Sequence, residues 1–290
     1  MIKQNSGARW LTFNAILVYA LLYAPILVLI AFSFNASKST AVWRGFSLNW
    51  YASLMGATDF IDAASSQSDA AGRSFQADNI WLALRNSLIV SGAATLISTV
   101  LGAMLALAID RFRFRLRGFF SVLLYLPVVI PDITLGIALL VFFSLLFKLA
   151  ENWFGVRLAF GFVTIIIAHV AFNISYVAIV VRARLAGMNR TLEEAAQDLG
   201  ATPWQTFRRV TLPLIWPGIA GGALLAFTLS LDDFVVTFFT TGIGSSTLPI
   251  FVYGMIRFTV TPAINALSTL MLLVSMLLVV GAMGLQRWGE

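Results

Sequence analysis

Residues 193–217 read EEAAQDLGATPWQTFRRVTLPLIWP, the longest polar interruption in the C-terminal part of a very apolar chain. The stretch predicts two short helices in succession. Thr191 is placed to cap the first, with Glu194 three residues on to complete a capping box. Gly200 suits the left-handed residue that stops a helix. Thr202 is placed to cap the second, with Pro203 at its first position and Gln205 three residues after the cap. Leu212-Pro213 and Trp216-Pro217 then open a new apolar run. A capped helix between two membrane spans has no core of its own to join. Its start and stop signals point to docking onto another protein.

The rest of the chain puts that loop in a bilayer. Of 290 residues, 59% are hydrophobic and 11% charged, where a soluble domain carries about 25% charged residues. There is no cysteine, which excludes disulfides, thiolate metal sites and cysteine catalysis. No GxxxxGK[ST] loop occurs, so any ATP chemistry belongs to a partner. Residues 11–32 form an apolar run of 22, long enough to span and too long for a signal core, and read as an uncleaved first span. Further spans are expected at 81–109, 118–147 (broken by Pro127 and Pro131), 158–181, 214–241 and 263–285. Lys148–Arg157 reads as a short loop, and residues 242–262 as a loop that re-enters or lies flat. Within the first connection, residues 57–78 form an Asp-, Ser- and Ala-rich insert, read as a loop or a short helix.

Six spans put both termini on one side. Twelve of the 19 basic residues fall there, including Lys3, Arg9, four arginines within 111–117, Arg182, Arg184, Arg190, Arg208 and Arg209. By the positive-inside rule that side is cytoplasmic, so residues 1–10 form a cytoplasmic N-terminus and 182–213 a cytoplasmic loop. The formal charge of +6 is then a topology signal, and no nucleic-acid partner is expected.

With Glu194-Ala195-Ala196, Gly200, Val210, Leu212 and Pro213 in place, the loop resembles the EAA loop of bacterial ABC importer permeases. The one departure is Val210, where the family usually has isoleucine. FSLNWY at 46–51, ALRNSL at 83–88, LPVVIPDITLGI at 126–137 and FTLSLDDFVVTFFTTG at 227–242 are similar to the spermidine/putrescine branch, whose members usually lack the insert. The resemblance implies an all-α, six-span permease subunit of a type I importer (MetI-like), in the inner membrane, with 11–290 as the permease domain. It implies a second permease, two ATPase subunits that hydrolyse ATP and a periplasmic substrate-binding protein as partners. This chain would bind no cofactor and catalyse no reaction. Glu193, Glu194, Ala195, Ala196, Gly200, Leu212 and Pro213 would couple it to the ATPase. Other cargoes (an iron complex, thiamine or another amine) stay open, as does a self-contained secondary transporter, although no inverted repeat is visible.

A charge inside a bilayer is costly and so is usually functional or paired. Asp132, Asp232 and Asp233 qualify. Asp132 fits either a substrate contact or a polar patch over the Pro127/Pro131 kink. A polyamine needs carboxylates and aromatic faces. Phe227, Phe234 and Phe238 fall at i, i+7 and i+11, one face of a continuous helix, with Leu231 between them. Adjacent helical residues diverge by about 100°, so Asp232 and Asp233 are not expected to face one cavity squarely. Oxyanion relatives carry Gly-Glu-Phe here, so a structural role is expected for Asp233. Asp232 is left as the cation contact, or as a cap or interhelical pair. The single histidine, His169, cannot build a metal site, and beside Asn173 and Tyr176 it reads as an interhelical hydrogen-bond donor. Trp81, Trp153 and Trp288 fit interfacial anchors, and Gly136, Gly221 and Gly222 fit close helix contacts.

Overall fold

A computed structural model of the chain describes residues 6–37, 42–54, 67–258 and 262–287. Trp288 and the first part of the insert, residues 57–66, lie outside them. The described residues are almost wholly helical: α1 (Ser6–Ser33), α2 (Asn49–Leu54), α3 (Gln67–Arg111), α4 (Arg117–Val129), α5 (Asp132–Phe154), α6 (Phe162–Ala186), α7 (Thr191–Asp198), α8 (Pro203–Thr206), α9 (Leu212–Asp232), α10 (Val235–Thr240), α11 (Leu248–Phe258) and α12 (Pro262–Arg287). Among the described residues six stretches are long and apolar enough to cross a membrane: Arg9–Ser33, Asn79–Arg111, Asp132–Phe154, Phe162–Ala186, Pro203–Asp232 and Pro262–Gly281.

Four expectations need correction. The third span breaks at Pro131 as expected, but not at Pro127, which lies inside a helix. It is a 13-residue helix, α4, a break at Ile130–Pro131, and then α5. Pro131 supplies no N–H and disfavours helical geometry at Ile130, whose ψ is 134°. The expected loop from Lys148 is helical to Phe154, and Gly155 (φ 65°) stops it. The second half of the insert, from Gln67, is the start of α3. Residues 242–262 hold a helix, α11.

The chain divides into two compact units. In the first, residues 1–80 with 252–274, Asn35 organises the connection after α1. Its side chain is fully buried. The Nδ2 group donates to the Val42 carbonyl (2.8 Å), and Oδ1 accepts from the Ser37 and Arg44 amides (3.1 and 2.9 Å). The Tyr51 hydroxyl meets Ser33 Oγ at 2.6 Å, so the FSLNWY phrase closes onto the end of α1.

The second unit, 81–251 with 275–290, carries the features that matter for function. Lipid tails are as apolar as leucine, so spans associate through close packing and small residues. On α3 a side chain at Gly102 would meet Val177 and the Ile174 carbonyl of α6. On α9 Gly218 lies against Arg184, and Gly222 against Val177. Gly136 lets α5 approach Phe239. One side of α6 is thereby buried, and Ile165, Ala168, His169, Asn173, Val177 and Val181 are fully buried.

Candidate functional site

The fifth span does not run unbroken to Thr241. α9 ends at Asp232, Asp233 is extended (ψ 123°), and α10 restarts at Val235. This overturns the single-face reading of Phe227, Phe234 and Phe238, which needs one continuous helix. It also removes the geometric reason for keeping Asp232 and Asp233 off a common surface.

The break is held from α6. Asp233 accepts from the Thr237 amide and hydroxyl (both 2.7 Å) and from the Val236 amide (3.4 Å), so it satisfies donors at the start of α10. His169 Nε2 lies 2.9 Å from Thr237 Oγ1 and 3.3 Å from Asp233 Oδ2, and Nδ1 lies 2.6 Å from Ser230 Oγ. A carboxylate oxygen can only accept, so the Thr237 hydroxyl hydrogen goes to Asp233. Thr237 then accepts from His169, which puts a proton on Nε2. The histidine bridges helices through Ser230, Thr237 and Asp233.

The break opens a cavity of about 530 Å³. Asp132, Asp232 and Asp233 all line it, with Phe172 and Tyr176 of α6, Phe234 at the break and Ser275 and Val279 of α12. Asp132 is exposed in the first turn of α5, where the helix dipole favours an acid. Asp232 is the last residue of α9, at the pole where a carboxylate is disfavoured. Its described partner is a neutral hydroxyl, Ser275 Oγ, at 3.0 and 3.3 Å. Among the described residues no cationic side chain pairs with Asp132 or Asp232.

Two expected pathway aromatics are placed elsewhere. Phe227 does not line the cavity. Phe238 is half exposed, with its ring tilted against that of Phe234 and the ring centres 5.6 Å apart. Phe172 and Tyr176 were missed as cavity residues, although the spacing 169, 172, 176 sets one helical face. Ser275 gave no signal in the sequence. Among the described residues no group of three or more His, Asp or Glu side chains forms a metal site.

The second candidate region is the polar loop. Thr202 and Gln205 form the expected capping box, and Gly200 is left-handed at φ 85°. The Thr191–Glu194 box does not form. Asn189 Oδ1 accepts from the Thr191 amide instead (3.1 Å), and Thr191 is already helical. Nor is the second helix free-standing: α8 continues through a π turn, Phe207–Thr211, into α9. The proline at 213 removes one helical donor, and the widened turn bonds the Leu212 amide to Phe207.

α7 buries none of its residues. Glu194, Ala195 and Gly200 face outward, as does Pro213. Leu192, Leu199 and Trp204 are exposed, Leu199 to 90%. Ala196 and Leu212 are half-buried. Glu193 turns the other way and accepts from Arg111 Nη2 at 2.6 Å and from Thr211 Oγ1 at 2.5 Å.

Comparison with known proteins fits this architecture. Residues 98–290 match the family model described as binding-protein-dependent transport system inner membrane component. The putrescine transport system permease protein PotI of Escherichia coli K12 is 40% identical over 264 residues, 91% of this chain and 85% of PotI. The spermidine/putrescine transport system permease protein PotC of the same strain is 35% identical over 270 residues, 93% of this chain and 91% of PotC. Among solved structures, a chain of a bacterial ABC transporter that imports the acidic polysaccharide alginate superposes with TM-score 0.69 at 20% identity, covering 97% of this chain and 96% of that one. A chain of the MetNI methionine ABC transporter superposes with TM-score 0.55 at 19% identity, covering 73% and 94%.

Proposed function

The chain belongs to the family of binding-protein-dependent transport system inner membrane components, and on that premise we propose that it forms half of an ATP-driven import pathway for a polyamine. It is a multi-pass inner-membrane permease. The observation that carries the substrate reading is the cavity beside the broken fifth span. Asp132 and Asp232 line it without a described cationic partner, and Phe172, Tyr176 and Phe234 stand next to them. Carboxylates answer ammonium groups, and aromatic faces answer the cation between them. The putrescine and spermidine relatives support the same substrate class.

The partners follow from the same premise. A second permease closes the pathway, and a binding protein delivers the cargo on the outer side. Of the two ATPase subunits, one docks on the exposed face of α7 and the other on the corresponding loop of the second permease, with that loop and both termini of this chain in the cytoplasm. This chain binds no cofactor and catalyses no reaction; ATP is hydrolysed by the partner, and α7 transmits the resulting movement. The test is uptake of labelled putrescine by cells with and without the chain. Uptake should depend on the chain and be displaced by spermidine but not by neutral amino acids or anionic sugars. Uptake indifferent to the chain, or displaced equally by those controls, overturns the substrate reading.

A further inference from the structure

Two residues at the end of α3, Asp110 and Arg111, pair crosswise with two at the start of α7, Arg190 and Glu193. Arg111 Nη2 reaches Glu193 Oε1 at 2.6 Å, and Arg190 Nη2 reaches Asp110 Oδ2 at 3.1 Å. The pairs differ in shelter. The Arg111 and Glu193 side chains are only 21% and 14% exposed, whereas Arg190 is 61% exposed. A water-exposed pair contributes little, so the Arg111–Glu193 contact dominates. The same Glu193 oxygen also accepts from Thr211, on the π turn that begins α9.

Because α7 buries no residue, side-chain packing does not fix it, and polar contacts must. Glu193 therefore holds α7 to two spans at once, to α3 through Arg111 and to α9 through Thr211. At its other end α9 carries Asp232 on the cavity. We infer that Glu193 and Arg111 are positioning residues for energy coupling: they make α7 rigid with α3 and α9, so that displacement of α7 moves the cavity wall. This rests on the function proposed above, and it concerns the inward side of α7, not the face that meets the ATPase. A contiguous contact becomes a transmission route only when coupling is measured.

The experiment uses the complete importer in liposomes, measuring labelled putrescine uptake and ATP hydrolysis together for wild type, Glu193→Gln, Arg111→Ala and the exchanged pair Arg111→Glu/Glu193→Arg. Both single variants should keep the ATPase in the complex and keep it hydrolysing, while putrescine carried per ATP falls about fivefold or more, the lower range of measured site-to-site coupling. The exchanged pair should recover a large part of that ratio. An unchanged ratio in both single variants overturns the inference while leaving the permease reading intact. Loss of the ATPase from the Glu193→Gln complex also overturns it, since Glu193 would then serve docking. A wild-type complex that hydrolyses ATP without carrying putrescine overturns the function proposed above, and this inference with it.

Discussion

His169 and Asp233 meet where the fifth span breaks, with imidazole Nε2 3.3 Å from the carboxylate oxygen and the ring fully buried. One bonded cluster thus ties the middle of α6 to the end of α9 and the start of α10. Removing either member leaves buried polar groups without partners, at about 1–3 kcal/mol each. His169→Ala and Asp233→Asn should each lower the thermal stability of the purified protein by that order. Because both remove one network, the double variant should lose less than the sum, with a coupling of roughly 0.5–3 kcal/mol. Strict additivity in thermal unfolding would show that the two act separately.

Two glycines on α3 should respond with opposite sign. A methyl group at Gly102 would sit 2.8 Å from Val177 Cβ and 2.9 Å from the Ile174 carbonyl oxygen, whereas nothing lies within 4 Å of one at Gly92. Gly102→Ala should therefore destabilise by about 1–3 kcal/mol through overpacking. Gly92→Ala should be neutral or stabilise by up to about 1 kcal/mol, since alanine restricts the unfolded chain. Unfolding midpoints of the two variants in the same detergent decide this, and equal effects would contradict the packing of α3 on α6.

The outward face of α7 is a docking prediction. Leu199 is 90% exposed, and Glu194 is also exposed. Exposed substitutions away from special backbone sites change stability by about 0.5 kcal/mol or less. Leu199→Asp and Glu194→Lys should leave the melting temperature near wild type and abolish co-purification of the ATPase after mild solubilisation. Retention of the ATPase by both variants would place the docking surface elsewhere.

The unequal legibility of these regions has a physical cause. Thr202, Pro203 and Gln205 announce a helix start because the capping partners stand within three residues of each other. The Thr191 box failed because Asn189, two residues before the threonine, offers a competing acceptor for its amide. The six spans were readable because hydropathy and length are local properties, and Pro131 marked a real break. The break at Asp233 was not readable. No proline or glycine stands there, and its holding partners, Ser230 and Thr237, bond a histidine 61 and 68 residues away in sequence. The carboxylates of the cavity were visible as charges in apolar runs. Phe172 and Tyr176 looked like ordinary packing residues, and only the fold turns them toward those charges.

The most direct test of the amine-binding cavity is the concentration dependence of ATP-driven putrescine uptake by the assembled importer carrying Asp232→Asn. Asp232 is exposed on the cavity and its described bonds go to Ser275, so the amide variant keeps the shape and loses the charge. Losing one partner of a desolvated charge pair costs about 2–5 kcal/mol. The KM for putrescine should therefore rise roughly thirtyfold or more, with the ATPase still bound and active. A KM equal to wild type in a complex of normal composition would contradict the assignment of Asp232 to the cargo.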